Sequence, residues 1–318
     1  MDKNLKEISV VSPVFNAENI IEELVERTVS SLKQIANNYE IILVDDGSSD
    51  QSWEKIIEQS KKYSNLRGIK LSRNFGQHYA VTAGVRASSG KMVVLMDCDL
   101  QDDPKHIEIL HKTIHSGYDI VFTKRIRRKH SFFKLITATI YNWLFRLLSD
   151  RNYDINVGSL TAFTNRVKIE FVNLGEQDRL YIQMLKWLGF KSTYIEVEHR
   201  KRVSGNSSYS FLKLLNMAVQ GWTSHSDKLL RSSIYLGFAL AGFSFLGIIG
   251  IIILYFLRGF QSGWPSMIVT ILFSTGLILI SLGVTGIYIG KIFQQVKNRP
   301  LYIVESHINF EDDSKKNS

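Results

Sequence analysis

Hydrophobic residues in the first third of the chain alternate between short continuous runs and runs with helical spacing. The continuous runs at 8–12, 41–44, 68–71 and 92–96 are typical of buried strands. The segments 20–35, 52–63 and 77–87 repeat apolar residues with the period of a helix. Strands that alternate with helices predict an α/β domain, with a mostly parallel sheet covered by helices.

Two long apolar segments follow, at 234–257 and at about 267–290, and neither contains a charged residue. Each is long enough to cross a bilayer, which takes about 20 residues. Basic residues flank the pair: Lys228 and Arg231 precede the first segment and Lys291 follows the second. The positive-inside rule therefore predicts a hairpin with both ends in the cytoplasm, and hence a multi-pass protein of the cytoplasmic (inner) membrane.

The basic charge of the chain is concentrated beside apolar residues. The sequence has 39 Lys and Arg against 30 Asp and Glu, and the segment 124–146 carries seven Lys or Arg among bulky apolar residues. That mixture predicts helices lying in the membrane interface, at about 130–149 and 211–222. It explains the charge better than nucleic-acid binding does, so no nucleic-acid partner is expected. The single cysteine, Cys98, excludes an internal disulfide.

Acidic residues stand where two predicted strands end. Asp45 and Asp46 follow the second strand, and Asp97 and Asp99 follow the fourth. Ligands of open α/β sheets bind at the carboxyl ends of strands, so these side chains are expected to share one crevice. The run at 97–104 also packs four carboxylates together, which favours a compensating cation. Mg²⁺ or Mn²⁺ held by carboxylates and substrate phosphates fits this pattern and points to a nucleotide diphosphate.

Four motifs in this order resemble a known family: PVFN at 13–16, VDDGSSD at 44–50, LSRNFG at 71–76 and MDCDLQDDP at 96–104. Together with the two C-terminal spans they resemble the polyisoprenyl-phosphate glycosyltransferases of glycosyltransferase family two, which include bactoprenol glucosyltransferases and dolichol-phosphate mannose synthases. The resemblance implies a GT-A (Rossmann-like) catalytic domain over 1–230, a two-helix transmembrane hairpin over 231–292 and a cytoplasmic tail over 293–318. The tail from Glu305 is polar and charged, which predicts disorder.

The same resemblance implies roles for individual residues. The uracil and ribose of a UDP-sugar would be held by Pro13, Phe15, Asp45 and Asp46, with Glu18, Arg73 and Asn74 also on the donor side. Metal and diphosphate would be bound by Asp97, Asp99 and Gln101, of which Asp97 and Asp99 are the expected catalytic residues. The phosphate of a polyprenyl-phosphate acceptor would be bound by Arg200, Arg202, Ser207 and Tyr209. Asp178 and Arg179 are further acceptor-side candidates.

One position departs from the family pattern. Many relatives carry an aspartate, often assigned as the base, where this chain has Ser159. No base is therefore carried over. A phosphomonoester has a second pKa of about 6, so at neutral pH it is already largely the dianionic nucleophile.

The expected reaction is inverting transfer of a sugar from a nucleotide-sugar to a polyprenyl phosphate such as undecaprenyl phosphate. Two alternatives stay open. A processive polysaccharide synthase shares the aspartate clusters, and QMLKW at 183–187 approximates its QxxRW motif. A catalytically inactive, membrane-anchored scaffold would account for Ser159. Gly286 and Gly290 form a small-xxx-small pair, which leaves a homo-oligomer possible.

Overall fold

The computed structural model describes residues 6–125, 157–197, 228–258 and 263–310. These residues belong to two compact units. The first comprises 6–125, 157–197 and 299–310, and the second comprises 228–258 and 263–298. The predicted interfacial helices at about 130–149 and 211–222 lie outside the described residues.

The first unit is an α/β domain. Its described strands are β1 (Lys6–Val14), β2 (Tyr39–Asp45), β3 (Leu66–Leu71), β4 (Gly90–Leu95), β5 (Ile120–Arg125), β6 (Val157–Thr164), β7 (Ser192–Val197) and β8 (Val304–Ile308). Its described helices are α1 (Ile21–Lys33), α2 (Ser52–Lys62), α3 (Gln77–Ala87), α4 (His106–His115), α5 (Asn165–Asn173) and α6 (Tyr181–Trp187). The four strands and three helices predicted from periodicity are all present, and α3 has the predicted bounds.

The strands form one mixed sheet in the order β7-β5-β6-β4-β1-β2-β3-β8. The central strands β4, β1, β2 and β3 are parallel, as predicted. The flanking strands β6 and β8 run antiparallel to β4 and β3. Beyond β6, strand β5 runs antiparallel to β6 and pairs in parallel with β7. Six of the eight described strands therefore share one direction, which confirms the expectation of a mostly parallel sheet.

Hydrophobic residues fill both faces of the sheet. Along β1, Ile8 and Val10 contribute to one buried cluster, together with residues of α1, α2 and α4. Val11 contributes to the other cluster, with residues of α3, α5 and α6. Helices thus cover the central strands on both sides, so their edge at the carboxyl ends is where functional side chains can reach a ligand.

The C-terminal segment corrects the predicted tail. Val304–Ile308 forms β8, which pairs antiparallel with β3, and Asn309 donates to the carbonyls of Ser60 and Leu66 at 3.3 and 2.8 Å. Disorder from Glu305 is therefore wrong for the described part of this segment. A polar edge strand is stabilised by backbone pairing rather than by an apolar face, so its composition does not predict a strand.

The second unit contains two long helices, α7 (Lys228–Arg258) and α8 (Trp264–Val296). They contain the two predicted apolar segments. Within the described residues, the stretch Phe273–Val296 of α8 has the length and hydropathy of a membrane span, and it is not buried inside the protein. Length and composition alone support this assignment for α8.

A buried carboxylate on β2 connects β1, β3 and the residue before β4, at the opposite end of the sheet from the acidic motifs. Glu40 is 1% exposed, and its Oε1 accepts hydrogen bonds from the Ser9 hydroxyl at 2.5 Å and from the Ser89 N–H at 2.6 Å. Its Oε2 accepts from Arg67 at 2.6 Å. Burial alone would raise the pKa of Glu40, but the hydrogen bonds from Ser9, Ser89 and Arg67 outweigh it and lower the pKa.

Replacing Glu40 with glutamine should destabilise the domain, because the amide removes the charge that Arg67 pairs with and turns a donor toward other donors. We expect a loss of about 3 kcal/mol, measured as a fall in the thermal unfolding midpoint in detergent. Because the pKa of Glu40 is lowered in the folded protein, the stability that glutamate adds over glutamine should be fully present at neutral pH. It should decrease as the pH falls below 4.5, the ordinary pKa of a glutamate. Glu58→Gln, in an exposed pair with Lys55, is the control that should change nothing. Equal midpoints for Glu40→Gln and the natural protein would contradict this account.

Gly47 lets two backbone turns approach each other beside the carboxyl ends of β2 and β3. It has a φ of +66°, and a Cβ at this position would lie 2.4 Å from the carbonyl carbon of Arg73. No side chain can fit there without moving backbone. The turn after β2 is thereby packed directly against the turn after β3.

Gly47→Ala should therefore lower the free energy of unfolding by at least about 1 kcal/mol, through positive-φ strain and displacement of the Arg73 backbone. The measurement is thermal unfolding of the purified full chain. Gly175→Ala is the control, since a Cβ there meets no atom of the described residues within 4 Å. Equal effects of the two substitutions would show that the close approach is unimportant.

Candidate functional site

The carboxyl ends of β1, β2 and β4 meet because β1 pairs in parallel with both neighbours. Backbone bonds continue the ladder beyond the strands, from Asp46 N–H to Val14 and from Met96 N–H to Val11. The chain segments that leave the three strands therefore start side by side. A pocket of about 320 Å³ lies between them.

The pocket brings together residues from all four motifs. Of the predicted donor-side and metal-binding residues, Pro13, Phe15, Asp46, Asn74, Asp97 and Asp99 line it. Val14, Gly76, Gln77 and Cys98 also line it, although no role was predicted for them. Phe15 is 48% exposed, so its ring offers an apolar surface to a ligand.

Asp46 anchors one wall of the pocket. It is 2% exposed, and its two oxygens accept hydrogen bonds from the backbone N–H groups of Phe75 and Gly76, both at 2.8 Å. Burial raises the pKa of Asp46. Each carboxylate oxygen has a second lone-pair site, so Asp46 can hold this turn and still accept a hydrogen bond from a ligand.

Asp45 and Glu18 lie outside the lining of the pocket. Their predicted contacts with the nucleotide stay predictions. Asp45 is fully buried, where it accepts a hydrogen bond from Ser48 N–H at 3.1 Å, and burial raises its pKa. Glu18 accepts from Gln51 N–H at 2.9 Å, while its own N–H donates to Asp50 at 3.1 Å. Both side chains brace the turn that follows β2.

Arg73 and Gln101 also lie outside the lining. The Arg73 guanidinium donates to the carbonyl of Asn74 at 3.0 Å and lies 4.1 Å from the centre of the Phe75 ring. The backbone N–H of Gln101 donates to Asp99 Oδ1 at 3.1 Å. The contact between Gln101 and Asp99 therefore uses the backbone, and a metal-binding role for the Gln101 side chain stays a prediction.

At the end of β4, the carboxylates of Asp97 and Asp99 line the pocket. The described residues contain no cluster of three or more His, Cys, Asp or Glu side chains able to enclose a metal. Two carboxylates at the edge of a pocket do fit Mg²⁺ or Mn²⁺, which are commonly held by one or two carboxylates together with substrate phosphates. The donor set thus fits a divalent cation that binds with a nucleotide.

One further hydrogen bond lies in the pocket wall at the end of β4. Gln77 Nε2 donates to Asp97 Oδ1 at 2.6 Å.

Cys98 also lies in this wall. Burial, aided by the neighbouring carboxylates of Asp97 and Asp99, raises the pKa of the Cys98 thiol to about 12. The thiol is therefore protonated at neutral pH and is a poor nucleophile.

Ser159 has a partner in the acidic motif. Its hydroxyl donates to Asp102 Oδ2 at 2.9 Å, and Asp102 is 2% exposed. An aspartate at position 159 would bring a second carboxylate against Asp102, and like charges at that distance repel. The serine therefore suits its buried neighbour, and it does not line the pocket.

Arg179 lies inside the domain. Its guanidinium is buried and donates to the carbonyls of Leu174 at 2.6 Å and Phe171 at 3.1 Å. With the bond from its Nε to the Thr82 hydroxyl at 3.3 Å, three of its five N–H donors have partners inside the domain. This placement gives no support to an acceptor-binding role for Arg179, which stays a prediction. The predicted acceptor residues Arg200, Arg202, Ser207 and Tyr209 lie outside the described residues.

The sequence motifs predicted no role for Gly76 and Gln77, although the position of both residues could be expected from the sequence. A glycine between the third strand and a helix places the first helical residue at the same edge of the sheet as the strand ends. Gly76 has a φ of 110°, a backbone conformation that residues other than glycine rarely adopt. The start of α3 thereby becomes part of the pocket.

Comparisons with known proteins agree with the resemblance found in the sequence. The family model described as glycosyl transferase family 2 matches residues 9–169. An uncharacterized glycosyltransferase, YkcC, of Bacillus subtilis (strain 168) is 35% identical over 96% of this chain and 95% of its own length. The undecaprenyl-phosphate 4-deoxy-4-formamido-L-arabinose transferase of Photorhabdus laumondii is 32% identical over 95% of this chain and 94% of its own length.

Similarity to solved structures is more distant. Glucosyl-3-phosphoglycerate synthase from Mycobacterium tuberculosis aligns with 69% of this chain and 78% of its own, at 18% identity and a TM-score of 0.48. That similarity is too low to transfer ligands. The family model and the relatives that match over nearly the whole chain are sufficient: the chain belongs to glycosyl transferase family 2 and is a glycosyltransferase.

Proposed function

We propose that this protein transfers a sugar from a UDP-sugar to a polyprenyl phosphate at the cytoplasmic face of the membrane. The observation that carries the proposal is the pocket at the ends of β1, β2 and β4. It combines an exposed aromatic ring and a carboxylate on one side, Phe15 and Asp46, with the carboxylate pair Asp97 and Asp99. These groups suit the base and the metal-bound diphosphate of a nucleotide.

The two sides of the pocket suit the two ends of the nucleotide. Phe15 can pack against the uracil, and Asp46 can accept a hydrogen bond from its ring N–H. Asp97 and Asp99 would hold Mg²⁺ or Mn²⁺ with the diphosphate. A bound divalent cation would offset the negative charge that develops on the leaving UDP.

The acceptor is proposed from the relatives and from the chain itself. Curated relatives named undecaprenyl-phosphate 4-deoxy-4-formamido-L-arabinose transferases match nearly the full length, including the region of the two apolar helices. We assign the lipid phosphate to the basic segment with Arg200, Arg202, Ser207 and Tyr209, since guanidinium groups bind phosphate with two hydrogen bonds. The hairpin of α7 and α8 would anchor the enzyme with both its ends in the cytoplasm.

The reaction is a single displacement. A phosphate oxygen of the lipid attacks the anomeric carbon while the bond from that carbon to the UDP oxygen breaks, so UDP leaves with the bonding electrons and the configuration inverts. The lipid phosphate is largely dianionic at neutral pH, so the step needs no base at position 159. The chain contributes by positioning the two substrates and holding the leaving group. Neither the processive synthase nor the inactive scaffold gains support from the pocket.

The test is transfer of radiolabelled sugar from a panel of UDP-sugars to undecaprenyl phosphate in detergent, with Mn²⁺ or Mg²⁺ and with EDTA. A lipid product labile to mild acid should form only with metal. Asp99→Asn should lower the rate by about a hundredfold or more, because leaving-group stabilisation by a metal amounts to several kcal/mol.

Asp103→Asn is the matched control. Asp103 belongs to the same motif but lies outside the pocket lining and accepts a hydrogen bond from Lys105 N–H at 3.1 Å, which asparagine can also accept. It should retain the natural rate within about twofold, the change expected for a surface substitution. A product that forms equally well in EDTA, or a full rate for Asp99→Asn, would contradict the proposed role of the carboxylate pair.

A further inference from the structure

A neutral amide holds the first carboxylate of the Asp97–Asp99 pair. Gln77 Nε2 lies 2.6 Å from Asp97 Oδ1, and both residues line the pocket. We propose that Gln77 is a positioning residue, which fixes the orientation of Asp97 for a divalent cation and the diphosphate of the donor. This inference rests on the proposed function and names a residue to which the family motifs gave no role.

A backbone contact to Asp46 and the start of α3 determine the position of Gln77. It is the first residue of α3, directly after Gly76 with its φ of 110°. The N–H of Gly76 donates to Asp46 at 2.8 Å, so the end of β2 holds the turn from which α3 starts. The side chain then spans to Asp97 after β4. Gln77 thus connects the base side of the pocket to the diphosphate side.

The contact is short, as expected for a hydrogen bond to an ionised acceptor. Because it binds Oδ1, it restricts the rotation of the Asp97 carboxylate about its side-chain bond. Outer residues that orient metal ligands in this way typically change metal affinity by about 10- to 100-fold when they are removed. Gln77 has the geometry of such a residue toward Asp97.

The side chain of Gln77 is also uncharged, which suits a residue beside a metal ligand. Asp97 and Asp99 attract a divalent cation through their negative charge, and an amide N–H orients one of them without cancelling that charge. A lysine at position 77 could donate the same hydrogen bond, but its ammonium group would pair with Asp97 and repel the cation. The proposal therefore predicts that a donor is required and that it must be neutral.

The experiment measures Mn²⁺ binding directly, by electron paramagnetic resonance of free Mn²⁺, on the purified full chain with saturating UDP. Gln77→Ala should weaken Mn²⁺ binding about 10-fold or more. Gln77→Lys should weaken it at least as much, although it retains a donor. Gln51→Ala is the matched control: Gln51 is an exposed glutamine directly before α2, outside the pocket, and its replacement should leave Mn²⁺ affinity unchanged.

The outcomes separate this inference from the proposed function. If the natural chain binds UDP with Mn²⁺ and Gln77→Ala binds Mn²⁺ equally well, the positioning role is overturned and the proposed function stands. If Gln77→Lys alone binds like the natural chain, the hydrogen bond suffices and the requirement for a neutral donor is overturned. If the natural chain binds no UDP with or without Mn²⁺, the proposed function is overturned, and so is the inference that rests on it. Thermal unfolding midpoints of all variants show whether a weakened affinity reflects the site rather than the fold.

Discussion

The pocket depends on one interaction, the pair of hydrogen bonds from Phe75 and Gly76 to the buried carboxylate of Asp46. These bonds tie the turn after β3 to the end of β2. The absence of a side chain on Gly47 lets the same two turns touch through their backbones. Backbone groups have few conformations and cannot relax as side chains do, so this contact fixes where α3 starts and what it presents to the ligand.

The acidic residues of the motifs differ in burial and in role. Asp45 and Asp46 are buried, burial raises the pKa of each, and they organise the turns beside the pocket. Asp97 and Asp99 reach the pocket itself and supply the charge that a cation requires. Motifs that look uniformly acidic in sequence thus contain carboxylates with different roles. Asp45 holds a turn, Asp97 and Asp99 are open to a cation, and Asp46 both holds a turn and lines the pocket.

The sequence predicted the central sheet and most of the pocket, because both follow from local periodicity and from strand ends in a parallel sheet. It predicted neither β8 nor the buried place of Arg179. β8 forms by pairing with β3, which is far away in sequence, and its polar residues give no apolar pattern. Arg179 is buried because carbonyls of Phe171 and Leu174 accept its donors, and such acceptors are visible only in the folded chain.

An experimental structure of the full chain with UDP and Mn²⁺ tests the central claim most directly. That claim is that the donor nucleotide binds where β1, β2 and β4 end. The account predicts the uracil against the Phe15 ring and within hydrogen-bond distance of Asp46, with the diphosphate beside Asp97 and Asp99. UDP bound elsewhere on the chain, or bound in this pocket with its diphosphate away from both carboxylates, would contradict it.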